Sequence, residues 1–186
     1  MSAWELPESL SVGCTEWKIR TDFRAVLDIL KYFCDPDYEI DEKWEICLDI
    51  LYEDYTKMPD DLKQEAAEQA TWFIDMGIKD DGKKKPTTMD WEQDAPIIIS
   101  SINRVLGMEI RLEKHLHWWT FLGAYMEIGD GLFSNILHIR QKKAKGKRLE
   151  KWENEFYKEN KKLIDMQKKY TEEEIEEQKR LLGLFD

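Results

Sequence analysis

The stretch HLHWWTFLGAYMEIGDG, residues 115–131, predicts a strongly aromatic helix that ends in a glycine-flanked turn. Trp118 and Tyr125 are seven residues apart and share one helical face, whereas Trp119 lies on the side of Leu122, so the helix is apolar almost all round. Such a helix is either central to its domain or covered by another chain. We predict a central helix around which amphipathic helices pack, with contact to a partner as the alternative.

Amphipathic helices are predicted on the N-terminal side of this stretch, because apolar residues recur there every three or four positions. They cover TDFRAVLDILKYF (residues 21–33), a second segment from Asp41 to Tyr55, and a third from Pro59 to a stop at Gly77. Before them, Leu10, Val12, Trp17 and Ile19 alternate on either side of Gly13-Cys14-Thr15, which predicts a short β-hairpin.

Further helices are predicted on the C-terminal side. Asp90 begins one that Gly107 ends, and LFSNILHIR (residues 132–140) forms a shorter one. A sparse apolar stripe among charges predicts one long helix over residues 147–169, and Thr171 with Glu174 forms a capping box for a last helix carrying Ile175, Leu181 and Leu182. The predicted fold class is mainly α: a helical bundle-like protein with a small N-terminal β-hairpin.

The chain divides most naturally at KDDGKKKPTT, residues 79–88, which contains glycine, proline and a lysine run but no large apolar residue. The predicted organisation is a hairpin with acidic helices over 1–78, a linker over 79–89, an aromatic-rich helical core over 90–140, and a basic segment with long helices over 141–186.

The 186 residues carry 28 basic and 39 acidic side chains, a formal charge of −11. No stretch is long and apolar enough to cross a membrane, and the first residues lack the pattern of a secretory signal. The charge is unevenly placed: residues 1–79 hold 8 basic and 19 acidic groups, whereas residues 140–169 hold 12 and 5. The chain is therefore an acidic body with a basic segment and an acidic tail.

Three cysteines without a paired spacing indicate reduced thiols, and Cys47 lies on an apolar stripe as a small core residue. No phosphate-binding loop, dinucleotide fingerprint or zinc-protease motif is present. We therefore predict no catalytic residues, no metal and no cofactor. A metal site using His115 or His117 stays a remote alternative to the view that His117 packs at a helix interface and donates to a backbone carbonyl.

The basic segment IRQKKAKGKR, residues 139–148, is either a solvated loop or a partner-binding surface. Clustered lysine and arginine bind phosphates regardless of sequence, so nucleic acid is one possible partner. The flanking acidic residues oppose that, and no aromatic residue is interleaved to stack on bases. An acidic protein surface, including that of a neighbouring copy, is at least as good a partner.

Several stretches together resemble a known family, the bacteriophage "gene product fifteen" family of siphophages and prophages of Gram-positive bacteria. They are the hairpin running into TDFR, then DWEQDAP, HLHWWTFLGAYMEIGDG and LHIRQKKAKGK. These stretches follow one another in order over most of the chain and are most specific between Asp90 and Arg148. The positions that match the family pattern are Asp94, His117, Trp118, Trp119, Phe121 and Arg140.

The resemblance implies a non-enzymatic tail assembly chaperone that binds the tape measure protein, recruits tail tube subunits, or both. Such a protein acts in the bacterial host cytoplasm and is absent from the mature virion. An exposed apolar groove near residues 115–137 would cover tape measure helices, and opposite charges could align copies head to tail. The alternative is a nucleic-acid-binding phage protein acting through residues 140–148. The predicted partner-binding residues are Trp118, Trp119, Phe121, Tyr125, Arg140, Lys142, Lys143, Lys145, Lys147 and Arg148.

Overall fold

Helices make up most of the fold, as predicted. The computed structural model describes residues 4–78, 86–167, 169–171 and 173–174. Within them the α-helices are α1 Phe23–Cys34, α2 Ile40–Leu51, α3 Lys63–Ile74, α4 Ala95–Leu106, α5 Trp118–Met126, α6 Leu132–Ala144, α7 Lys151–Glu159 and α8 Lys161–Ile164. Short 3-10 turns occupy Tyr55–Lys57, Asp60–Leu62 and Ile110–Leu112. The predicted fold class, mainly α with a small N-terminal hairpin, is confirmed.

The predicted hairpin consists of β1 Ser9–Val12 and β2 Thr15–Lys18 in antiparallel register, with Val12 opposite Thr15. Its two turn residues, Gly13 and Cys14, both have positive φ angles, of 57° and 62°. Two successive positive angles define a type I′ turn, whose twist matches that of the flanking strands. The hairpin packs inward through Leu10 and Val12, which are both buried.

The second predicted helix is shorter than its apolar repeat. It ends at Leu51 instead of continuing to Tyr55, because backbone groups from Leu51 onward pair with the end of β2 and the residues that follow it. Arg20 N–H donates to Leu51 O at 2.8 Å, and Glu53 N–H donates to Lys18 O at 3.1 Å. A tertiary backbone contact therefore ends this helix where periodicity alone predicts a further turn.

Some of the other predicted helix ends match their local signals, whereas the third helix is shorter than predicted: a 3-10 turn at Asp60–Leu62 precedes α3, which ends at Ile74 before the predicted stop at Gly77. Asp22 caps α1 by accepting a hydrogen bond from Arg24 N–H at 3.0 Å. Asp90 caps a turn that precedes α4 rather than α4 itself, which begins at Ala95. Gly107 ends α4 with a φ angle of 69°, the left-handed conformation that glycine adopts without strain.

The predicted long helix over residues 147–169 is wrong. Helix α6 continues through the first lysines to Ala144, a turn follows, and the remaining residues form α7 and α8, which break at Asn160. The break is stabilised by packing, because Ile164 of α8 turns back onto Ile136 and Ile139 of α6. The capping box of Thr171 and Glu174 is present, whereas the helix predicted after it lies outside the described residues.

One hydrophobic core joins both sides of the predicted linker. The rings of Phe23 in α1 and Phe121 in α5 stack with centroids 4.7 Å apart and planes 7° from parallel. Trp91, which precedes α4, contacts both Trp118 and Phe121. Residues 79–85 lie outside the described residues, so the linker stays a prediction. In the described part of the chain, no helix is long and apolar enough to cross a membrane.

Candidate functional site

His117 immediately precedes α5 and connects this helix to the N-terminal segment. Its Nδ1 accepts the backbone N–H of Trp119 at 3.0 Å, and its Nε2 lies 3.0 Å from Pro7 O. Because a carbonyl only accepts hydrogen bonds, Nε2 carries the proton and the ring is neutral. The imidazole therefore acts as a helix N-cap, and the predicted role of His117 at a helix interface is confirmed.

Burial of the ring lowers the pKa of His117 below its ordinary value of 6.5. Between the pKa of His117 in the folded chain and its higher pKa in the unfolded chain, the unfolded chain binds a proton at this histidine more readily than the folded chain does. The free energy of unfolding therefore falls as the pH drops through this range. Protonation of Nδ1 also removes the acceptor for Trp119 N–H. We expect urea midpoints to fall more between about pH 7 and pH 5 in the wild type than in His117→Asn, which keeps the cap but does not titrate.

His115→Gln is the matched control for this pH dependence, since His115 is an exposed histidine two residues away. Its midpoints should follow those of the wild type. Equal pH slopes for His117→Asn and the wild type would contradict the role assigned to the neutral ring.

The predicted aromatic site residues lie mainly in the core. Trp118 and Phe121 are each only 1% exposed, whereas Trp119 and Tyr125 are half-buried. Both indoles cap carbonyl groups at the C-terminal end of α3. Trp118 Nε1 donates to Ile74 O, and Trp119 Nε1 donates to Phe73 O, each at 2.8 Å. The structure therefore supports the central-helix interpretation, and the buried Trp118 and Phe121 do not provide a docking surface.

Arg140 is also buried, at 4% exposure, and forms an ion pair with Asp94. Its guanidinium donates to the two carboxylate oxygens at 2.6 and 2.8 Å and to the carbonyls of Thr88, Leu163 and Ile164 at 2.6 to 3.0 Å. All five donor hydrogens of the side chain are therefore used. This pair ties the segment before α4 to α6 and α8, and it removes Arg140 from any partner-binding surface.

Sequence reasoning matched Asp94 and Arg140 to the family pattern without pairing them. A signal was available: Arg140 lies four residues after Ile136 and next to Ile139, on the apolar stripe of α6. A charged residue on a buried stripe requires a buried partner of opposite charge.

A second internal ion pair joins α6 to α7. The Glu153 carboxylate is 1% exposed and accepts from Lys142 Nζ at 2.5 Å and Glu150 N–H at 2.6 Å, with His138 Nε2 at 2.9 Å. The hydrogen bond from Lys142 lowers the pKa of Glu153 and raises the pKa of Lys142. Sequence reasoning missed Glu153, although its spacing from Glu150 fits a helix-capping pair.

Lys143 is engaged in the same region. Its Nζ lies 2.7 Å from Asp165 Oδ1 and 3.9 Å from the ring centroid of Tyr157. Three of the six predicted basic residues are therefore engaged in ion pairs within the molecule: Arg140 and Lys142 with buried carboxylates, and Lys143 with Asp165 at the surface. The other three, Lys145, Lys147 and Arg148, are exposed and form no ion pair within the described residues. A phosphate backbone would find fewer free cations here than the sequence suggests.

Several open grooves lie on the surface formed by the described residues. One lies between α2 and α3, with a volume of about 740 Å³, and is lined by both apolar and acidic side chains. Another, of about 410 Å³, lies between α4 and the start of α6 and includes Ser101, Arg104, Gly131 and Leu132. Among the described residues no group of histidine, cysteine and acidic side chains could hold a metal ion.

These features define a mainly α-helical protein whose buried charged residues hold the helices together. A comparison with family profiles matches residues 4–171 to the family described as Bacteriophage Gp15 protein. The chain belongs to this family, and it is a phage protein. Searches of curated proteins and of solved structures found no match.

Proposed function

We propose that the protein is a tail assembly chaperone that binds the tape measure protein and brings tail tube subunits to it. Membership of the Bacteriophage Gp15 family is the observation that carries this proposal. The structure also supports a role in binding rather than in catalysis, because its buried polar groups have structural partners. The buried polar residues of the described chain, Asp94, His117, Arg140 and Glu153, are all engaged in ion pairs, caps or backbone contacts that hold helices together.

The groove between α4 and α6 is the surface we assign to the tape measure protein. It overlaps the region around residues 115–137 that the sequence indicates, through Gly131 and Leu132. Ser100 and Ser101 are small and allow a helix to approach closely, and Leu132 is 43% exposed at its edge. An apolar helix laid in this groove would bury side chains that otherwise promote aggregation.

Co-expression with the tape measure gene product of the same phage tests this function. The wild type should keep that product in the soluble fraction and co-purify with it. Leu132→Asp should lose most of both effects, because a carboxylate opposes an apolar helix in the groove. The change should not harm the fold, since Leu132 is the first residue of α6 and acidic groups are favourable at helix N-termini.

Leu112→Asp is the matched control, because Leu112 is an exposed leucine (81%) that does not line this groove. It should solubilise the tape measure product as the wild type does. A wild type that neither solubilises nor co-purifies with the tape measure product overturns the proposed function. Equal loss in both variants would overturn the assignment of the groove.

A further inference from the structure

The groove between α2 and α3 combines an apolar floor with an acidic edge. Trp44, Leu48 and Ala67 contribute apolar surface. The charged side chains along it are Asp41, Glu42, Glu45, Glu68 and Lys63. The only cation among them, Lys63, is paired with Glu45 at 3.0 Å and with Asp60 at 3.1 Å. The groove is therefore suited to a partner that presents basic groups together with an apolar side chain.

The turn between α6 and α7 of this same chain has those features. Gly146, with a φ angle of 63°, reverses the chain, and Lys147 N–H donates to Lys142 O at 2.9 Å, so the turn has a defined geometry. It exposes Lys145, Lys147 and Arg148. Trp152 follows in the first turn of α7 and is 48% exposed.

We propose that the α2–α3 groove of one copy binds the Lys145–Arg148 turn and Trp152 of a second copy. The carboxylates would pair with the three free cations, and the indole would lie against the apolar floor. Tryptophan and arginine are the residues that most often dominate binding energy at protein interfaces. The volume of about 740 Å³ is several times that of an indole side chain.

The contact joins different copies because the two surfaces do not pair within one molecule. The groove belongs to the main core cluster, whereas the turn lies beside the small cluster of Ile136, Ile139 and Ile164. No ion pair joins the two surfaces in the described part of the chain. Since the surfaces differ, the contact is heterologous, and each bound copy leaves one groove and one turn free to add further copies.

Two neutral variants test the pairing at low salt, where exposed charges are weakly screened. The turn variant is Lys145→Ser/Lys147→Ser/Arg148→Ser, and the groove variant is Asp41→Asn/Glu68→Gln. Lys142 and Lys143 are left unchanged because they hold α6 to α7 and to Asp165. Sedimentation velocity should show concentration-dependent oligomers for the wild type, and each variant alone should associate about tenfold or more weakly.

An equimolar mixture of the two variants gives the sharpest result. The groove variant keeps a working turn, and the turn variant keeps a working groove, so one contact can form between them. The mixture should therefore produce a 1:1 heterodimer and nothing larger. Lys161→Ser/Lys162→Ser removes two exposed lysines of α8 as a matched control and should assemble like the wild type. Circular dichroism should show equal helicity for all the variants.

Three results would overturn the inference: a wild type that stays monomeric at about 100 µM, variants that assemble as the wild type does, or a mixture that stays monomeric. The inference does not depend on the proposed function, since these measurements use this chain alone. A protein that assembles but does not solubilise the tape measure product would retain the inference and overturn the chaperone function. A protein that solubilises the tape measure product but stays monomeric would retain the chaperone function and overturn the inference.

Discussion

Arg140→Met is expected to lower the free energy of unfolding by about 3–5 kcal/mol, the usual cost of leaving one charge of a buried pair without its partner. The Asp94 carboxylate would remain 1% exposed and keep only the backbone N–H of Asp90, at 3.0 Å, as a donor. The carbonyls of Thr88, Leu163 and Ile164 would also lose their donor. Urea denaturation followed by circular dichroism measures the loss.

Arg148→Met is the control for this substitution, because Arg148 is exposed and unpaired in the described part of the chain. It should change stability by less than about 0.5 kcal/mol. Asp94→Leu combined with Arg140→Met should recover part of the loss, since no unpaired charge then stays buried. A loss of similar size in Arg140→Met and Arg148→Met would contradict the structural role assigned to the Asp94–Arg140 pair.

Phe121→Ala is also expected to cost about 3–5 kcal/mol, because it removes a core ring and leaves a cavity. Phe121 is 1% exposed and lies between Phe23 of α1 and Trp118 of its own helix, with ring centroids 4.7 and 5.5 Å away. Both the N-terminal helices and the aromatic helix lose packing together. Unfolding should therefore remain one cooperative transition when followed by tryptophan fluorescence and by circular dichroism.

Leu112→Ala serves as the control, since Leu112 is 81% exposed and should change stability by less than about 0.5 kcal/mol. One outcome for Phe121→Ala would contradict the expected single cooperative transition. Two separate transitions, one of which is unaffected by the substitution, would show that residues 1–78 and 90–140 fold as independent units. That result would contradict a shared core.

Local signals predicted the hairpin and most helices because their causes are local. The hairpin follows from alternation around Gly13-Cys14, and α1 follows from a cap at Asp22 and an apolar repeat. The errors occur where a distant contact competes with periodicity. Helix α2 ends early because the chain near Leu51 pairs with the strand end at Lys18, and the predicted long helix breaks so that Ile164 can reach α6.

The candidate site was predictable in composition but not in arrangement. The basic segment and the aromatic stretch both stand out in the sequence, whereas the availability of each side chain depends on what packs against it. Trp118 and Phe121 are buried in the core, and Lys142 forms an ion pair with the buried Glu153 of another helix. The spacing of apolar residues did not indicate that α7 packs beside α6, since it predicted one long helix over residues 147–169.

The sequence by itself determined the mainly α fold, the N-terminal hairpin, the central position of the aromatic helix and the family. The fold class and the hairpin follow from periodicity and capping, which act over a few residues at a time, and the family follows from the order of motifs along the chain. Tertiary structure alone decided which cations are free and which are buried in ion pairs. Asp94 and Arg140 are 46 residues apart in sequence, and only packing brings their charges within 2.6 Å. Which acidic side chain pairs with which basic side chain depends on the segments that lie next to each other once the helices have packed.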